Sequence, residues 1–428
     1  MTANRLLLSV SKRALRRLAP TDFVWRAPPE ESSFRTDIGP ALSQCTGAPR
    51  ENVEFLRLAV LAYVVDRTTR RPPSRWLRDL SLQVPVWTPE PWVEVAGELE
   101  ALLGFLTSDR WHLDFVRTRT PRPHDTEEAP TGPGVTLFSG GADSLAGALI
   151  AERELSAPPV LVSHRDWPLV TGAQKALIAE LTDLWGHGPP AFSALVGRSP
   201  RQIGSDHEFG REETSRARSL LFVALGLGVA GACGVPLRIP ENGFASLNPP
   251  MGGERRGALS TRTTHPFYIS ELRRILHRVG AYAEIENAFA DQTKAEMFAR
   301  VAADLGTERA STLLSASHSC ARGDVRFAGV EGAKHCGVCY GCLVRRAAFL
   351  GAGLTDETTY VIDDLSTPAG AIEWYSEKRR RELQAVRYAA HRGVDVAEVT
   401  RNLPAEVDPD TAIDTATRGL NELGALVL

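Results

Sequence analysis

Two sets of residues in this chain carry chemistry by their types and spacing. The first is Ser139-Gly140-Gly141-Ala142-Asp143-Ser144, which follows the short apolar run Val135–Phe138 and leads into the helix-forming stretch Leu145–Arg153. Strand, glycine turn and helix start thus come in the order a phosphate cradle requires. Glycines let the backbone approach an anion closely, and the amides of the following helix start point at it. Ser139 and Ser144 add hydroxyl donors suited to pyrophosphate. Asp143 repels a bare phosphate, so its expected role is to reach Mg²⁺ or to fix the turn. No Gly-Lys-Ser/Thr ending follows, which excludes a Walker-type loop, and the spacing fails the dinucleotide pattern. The competing reading is a plain glycine turn between a strand and a helix.

The second set is sulfur. Cys320 is followed, after fifteen intervening residues, by Cys336, Cys339 and Cys342 at Cys-x-x-Cys spacing. Four thiolates suit tetrahedral Zn²⁺, and one Cys-x-x-Cys turn grips a metal with two sulfurs. A closed site of this kind leaves no position for catalytic water, so the expected metal is structural; an iron–sulfur cluster is the rival with the same ligands. His318 and His335 are spare neighbours, and Cys45 and Cys233 stand alone.

Several further residues are candidates. Glu241-Asn242-Gly243 follows the strand-like Pro236–Ile239 and either clamps a heterocycle or forms a surface turn. Ser260–Pro266 gathers hydroxyl and cationic donors, Arg262 and Thr264 among them, before a helix; an anion site and a helix cap by Thr263 or Thr264 compete there. Lys294 lies two residues before Glu296 and so does not share its helix face. His164 ends the second strand of the α/β region. Asp206–Thr214 is a charged stretch that either closes over the site or is solvated loop, and Lys378–Arg381 reads as a solvated helix face.

The elements that must position these residues alternate. After the proline-rich stretch 121–134, strands are expected at Val135–Phe138, Pro159–His164, Pro236–Ile239 and Thr312–Ser315. Helices are expected at Lys175–Trp185, Ser219–Ala232, His265–Arg278 and Lys294–Leu305. This order predicts an α/β fold with a parallel sheet that binds ligands at the carboxyl ends of its strands. Before it, residues 1–120 mix helical runs (Val53–Val65, Trp92–Leu106) with alternating ones (Leu80–Val86, Trp111–Val116), read as a mixed α+β accessory domain. Residues 121–134 are the linker, 135–354 the main domain and 355–428 a mostly helical C-terminal segment. The chain of 428 residues has net charge −3 and is 43% hydrophobic. This disfavours a globally basic nucleic-acid binder, and no apolar run approaches membrane-spanning length. A cytoplasmic protein with reduced cysteines is expected.

Ser-Gly-Gly-Ala-Asp-Ser resembles the PP-loop of the ATP pyrophosphatases, and the cysteines narrow the likeness. Ser319-Cys320 ahead of Cys336-Gly-Val-Cys339-Tyr-Gly-Cys342-Leu-Val-Arg345 is similar to the cluster of the QueC-type 7-cyano-7-deazaguanine synthases. Ser215–Phe222 resembles their Gly-Arg-Asn helix start, with Arg218 on the arginine and Ser219 in place of asparagine; Lys294-Ala-Glu296 resembles their Lys-x-Glu helix. The longer flanks, with Phe105–Trp111, resemble the QueC-like members of the Qat anti-phage defence system. The resemblance covers roughly residues 135–352. It implies an adenine-nucleotide α-hydrolase-like fold, with ATP and Mg²⁺ on Ser139, Gly140, Gly141, Asp143 and Ser144, and adenine held through backbone groups near His164. It implies a substrate contact from Arg218, beside the candidates Glu241, Asn242, Arg262 and Thr264 read from the residues, and goes with catalytic roles for Asp143, Arg218 and Lys294. The implied reaction adenylates 7-carboxy-7-deazaguanine and passes it to an amine, on a partner protein of the Qat operon. Ammonia as acceptor, giving the 7-cyano base, and a non-catalytic nucleotide-binding component are the alternatives.

Overall fold

Alternating and β-branched runs supply ten strands among the described residues: β1 (Asn4–Leu7), β2 (Asp22–Val24), β3 (Arg35–Thr36), β4 (Asp79–Val86), β5 (Arg110–Arg117), β6 (Val135–Leu137), β7 (Val160–Arg165), β8 (Ala191–Gly197), β9 (Leu237–Arg238) and β10 (Ile285–Glu286). The computed structural model describes residues 2–428 except 9, 73–76, 121–127, 252–261, 322–324, 326–327, 333 and 367–372; for residues 12 and 373–380 it describes the backbone alone.

The strands form two sheets. The first has order β2-β1-β4-β5 and all its pairings are parallel. This corrects the expected mixed α+β character of the N-terminal segment. Helices Arg50–Thr68 and Pro89–Thr107 carry the chain between its strands, as parallel neighbours require. The second sheet has order β10-β9-β6-β7-β8-β3; β3 runs antiparallel to β8 and the other pairs are parallel. It is therefore α/β but mixed.

Both sheets drain into one hydrophobic core. Leu6, Leu82 and Val84 of the first sheet and Val135, Val162 and Val196 of the second belong to it, with helix Arg50–Thr68 between them. That helix is buried nearly all round, its polar residues included. Each buried polar residue on it has a partner, as burial demands. Glu54 accepts from Trp92 Nε1 at 2.7 Å, Arg57 donates to Pro40 O at 2.9 Å, and Asp66 pairs with Arg78.

One expected strand is not there. Thr312–Ser315 lies within the helix Thr307–Ala316, where Ala310, Leu313 and Leu314 are buried at i, i+3 and i+4. Four apolar-biased residues do not distinguish strand from helix, and the flanking Thr-Glu-Arg-Ala extends the helical pattern. The last helix, Pro409–Val427, packs against Tyr340–Gly351 and against the short helix Gly243–Leu247. Among the described residues, no helix is long and apolar enough to cross a membrane.

Candidate active site and metal centre

The glycine loop leaves the carboxyl end of β6, inside the parallel part of the sheet. Gly140 sits at φ +81°, and a Cβ there would lie 3.1 Å from Gln174 Cγ and 3.3 Å from Gln174 N. Only glycine suits that position. Gly141 is the N-cap of helix Ala142–Leu155 and brings no side-chain cap, so the positive helix start is open to an anion. The serine hydroxyls serve the loop itself. Ser139 Oγ accepts from Gly141 N at 3.2 Å and donates to Ser144 Oγ at 3.2 Å, and Ser144 Oγ donates to Gly141 O at 2.9 Å. Gln174, which sequence reasoning missed, is buried behind the loop; its Nε2 donates to Ser139 O and His164 O, both at 3.3 Å. A lone glutamine in an amphipathic helix carries no signal of such a role.

Asp143, Glu241, Asn242 and Lys294 come together beside this loop. Asp143 Oδ2 accepts from Asn242 Nδ2 at 3.0 Å and pairs with Lys294 Nζ at 3.2 Å, while Asp143 Oδ1 is buried without a partner. Burial first, and Asp143 second, push the Glu241 carboxyl well above the usual carboxylate range, against the pull of Lys294. Asn242 and Gly243 are buried, so this stretch is not a surface turn. Asn242 is fully buried and caps helix Gly243–Leu247 by accepting from Ala245 N at 2.9 Å. A Cβ on Gly243 would lie 2.0 Å from Ala290 O, which is why the chain needs glycine there. Lys294 is the first residue of helix Lys294–Leu305, held by a capping box between Thr293 and Glu296. Two carboxyl groups with one orphaned oxygen are a donor set that fits a hard divalent cation such as Mg²⁺.

A second polar cluster lies one strand away, at the ends of β7 and β8. His164 is fully buried, so any contact with adenine there is open to its backbone alone, as expected of that strand end. Its Nε2 bonds Val196 O at 2.8 Å and its Nδ1 accepts from Arg218 Nε at 3.3 Å. Burial and Arg218 lower its pKa to about 4. Tyr63, from the N-terminal helix Arg50–Thr68, donates to Asp166 Oδ2 at 2.5 Å. Arg218 and Lys294, expected to act together, belong to these separate clusters.

Of the remaining expected substrate residues, Arg262 is turned onto Phe105. It lies 4.6 Å over that ring and donates to Phe105 O at 3.3 Å. Thr264 bonds Ser246 Oγ at 3.3 Å, and Ser246 in turn receives Asn287, which donates to Glu241 O at 2.8 Å. Thr264 therefore reaches the acid pair only through two other residues. The helix cap is His265, not Thr263 or Thr264. Gly252–Thr261 lie outside the described residues. The Asp206–Thr214 stretch is fastened to the N-terminal segment: Phe209 stacks on Phe23 at 5.0 Å and Arg67 donates to Glu212 O at 2.8 Å.

The four cysteines form a buried cluster with all sulfurs within 4.8 Å of one another. Measured pairs are 4.0 Å (Cys320–Cys339), 3.9 Å (Cys336–Cys342) and 3.5 Å (Cys339–Cys342). A tetrahedral Zn²⁺ with bonds of about 2.3 Å needs sulfurs about 3.8 Å apart, so the set fits a metal ion. Cys336 N donates to Cys320 Sγ at 3.4 Å and Cys339 N to Cys336 Sγ at 3.2 Å, the amide–sulfur contacts that favour thiolates. His335 is not a ligand: its Nε2 accepts from Ser319 N at 3.1 Å, and burial lowers its pKa to about 2. His318 also lies outside the cluster. The cluster is wired to the glycine loop, because His318 N donates to Gly140 O at 2.8 Å. Arg345, fully buried, gathers Leu314 O, Ser315 O and Ser317 Oγ at 2.7–3.0 Å and fixes the strap between them. No family model matches this chain, and neither a curated protein nor a solved structure matches it significantly.

Proposed function

We propose that the protein is an ATP-dependent carboxylate-activating enzyme. The observation that carries this reading is the glycine loop opening onto an uncapped helix start beside the orphaned Asp143 oxygen. The triphosphate would lie against the first-turn amides of helix Ala142–Leu155. Asp143 and Glu241 would hold Mg²⁺, which supplies charge neutralisation for a leaving pyrophosphate. A carboxylate oxygen attacks the α-phosphorus, the α–β phosphoanhydride bond breaks, and pyrophosphate leaves. An amine then attacks the acyl carbon, AMP departs with the bonding electrons, and the amine loses its proton to solvent. Lys294 and Arg218 offset negative charge from two sides of the loop. The four cysteines would hold Zn²⁺ as a closed structural site that sets the strap 317–320 against the loop.

The substrate in this reading is 7-carboxy-7-deazaguanine and the acceptor is an amine on a partner protein, in anti-phage defence. It rests on the resemblance of the Ser139–Ser144 and Cys320–Cys342 motifs to QueC-like proteins. The test is mass spectrometry of full-length protein with ATP, Mg²⁺ and 7-carboxy-7-deazaguanine, with and without the neighbouring gene products. AMP plus a deazaguanine adduct on a protein supports the reading. Free amide or nitrile moves it to ammonia as acceptor, and absence of AMP throughout sinks the enzymatic reading.

A further inference from the structure

We infer that the β7–β8 edge carries a second oxyanion subsite, in which Arg218 presents its donor fork and His164 is the residue that aims it. This deepens the carboxylate-activating reading and rests on it. Arg218 opens helix Arg218–Cys233 and is only partly buried. Its Nε is tied to His164 Nδ1 at 3.3 Å, and its two Nη groups make no hydrogen bond or ion pair among the described residues. A guanidinium anchored at Nε with both Nη groups open is preorganised for a planar oxyanion, a carboxylate or a phosphate.

The anchor is built, not incidental. Arg218 can donate to Nδ1 only if that nitrogen is unprotonated, and the Nε2 bond to Val196 O at 2.8 Å fixes this tautomer. His164 is fully buried, with its ring edge-to-face against Tyr63 at a centroid distance of 5.3 Å, so it cannot turn away. Asp166, two residues after His164, is engaged by Tyr63 at 2.5 Å and by Arg35 at 3.2 Å, both from the N-terminal segment. The glycine loop leaves β6, and His164, which anchors Arg218, lies on β7, its neighbour in the sheet. One ligand with two anionic ends, or two ligands bound side by side, would bridge the glycine loop and Arg218.

The test is calorimetric titration of full-length protein with pyrophosphate, AMP and 7-carboxy-7-deazaguanine in turn, which separates phosphate from carboxylate as the anion at Arg218. Arg218→Ala should weaken one of the three about ten- to hundred-fold. His164→Leu should weaken the same ligand about ten-fold, and the double variant should bind no worse than Arg218→Ala alone. His164→Asn, whose Oδ1 can stand where Nδ1 stands, should restore most of the affinity. Arg218→Lys keeps the charge but lacks the fork, and should stay several-fold weaker than wild type, which tests the geometry even if His164→Leu does not fold. Unchanged affinities in Arg218→Ala, wild-type affinity in Arg218→Lys, or additive losses in the double variant would overturn the subsite. Failure of the wild-type protein to bind any of the three would sink the activating reading together with it.

Discussion

Lys294 offers the most direct test of how the acid pair is held. Its ammonium is 3.2 Å from Asp143 Oδ2, with side chains only 9% and 12% exposed. Glu241 presses on the same aspartate, and Asn242 Nδ2 donates to it. Changing Lys294 to Met removes the cation and leaves two carboxyl groups facing each other out of water. Breaking a buried pair in this way typically costs about 3–5 kcal/mol, a large part of a total stability of about 5–15 kcal/mol. Asp143→Asn keeps the shape, and Glu241 remains to face Lys294, so its cost should be lower, about 1–2 kcal/mol. Lys294→Met in the Asp143→Asn background removes a cation from a site with one acid fewer, and should cost at least about 1.5 kcal/mol less than in the wild type. Urea unfolding of the four proteins at pH 7 in Mg²⁺-free buffer, followed by circular dichroism, measures the cycle. Additive single changes, with a coupling below about 0.5 kcal/mol, would refute the reasoning, because they would mean that Lys294 and Asp143 do not compensate each other.

Three further predictions bear on the same parts. Metal analysis of the purified protein should find zinc, and Cys336→Ser should lower both metal content and stability, since the cluster closes the strap 317–345; iron instead would replace the zinc reading with a cluster. Gly140→Ala should cost about 1–2 kcal/mol for its left-handed backbone alone and should also weaken pyrophosphate binding, because the added methyl presses on Gln174 at 3.1 Å; unchanged stability and binding would refute the loop geometry. His265 accepts from Phe267 N as a neutral imidazole, and burial lowers its pKa to about 4, whereas the unfolded chain protonates near 6.5. Its folded pKa is depressed, so its contribution is present above about pH 6.5 and is lost as pH falls toward 4, by up to about 1.4 kcal/mol per unit. His265→Asn, a capping residue without that titration, should flatten stability against pH in this window, and parallel curves would refute it.

Much of the site was legible in the sequence because local chemistry dictated it. The glycine pair, the helix-forming run and the Cys-x-x-Cys spacing each demand a local geometry, and the fold supplies it at β6 and in the buried thiol cluster. Glu241, Asn242 and Lys294 were also singled out, yet their meeting with Asp143 depends on the order β10-β9-β6, which no local pattern encodes. What escaped was set by tertiary contact. Gln174 earns its place only through carbonyls from two other elements. The tie of His164 to Arg218 likewise shows only in the fold, where its buried ring nitrogens bond Val196 O and Arg218 Nε. β3 and β10 have two residues each, too short for a periodic signal. The all-round burial of Arg50–Thr68 shows in hindsight as a run of apolar residues broken by polar ones that all have partners.

The shared core has a consequence for how this protein can change over time. Val135, Val162 and Val196 are covered by the same apolar mass that begins at Leu6, and the outer edge of β8 is closed by Arg35–Thr36. A gene fragment that began at the glycine loop would therefore encode a sheet with a bare face and an open, adhesive rim. Recombination could not exchange the first hundred residues for another segment without rebuilding the half that follows, so the two must be inherited as one piece.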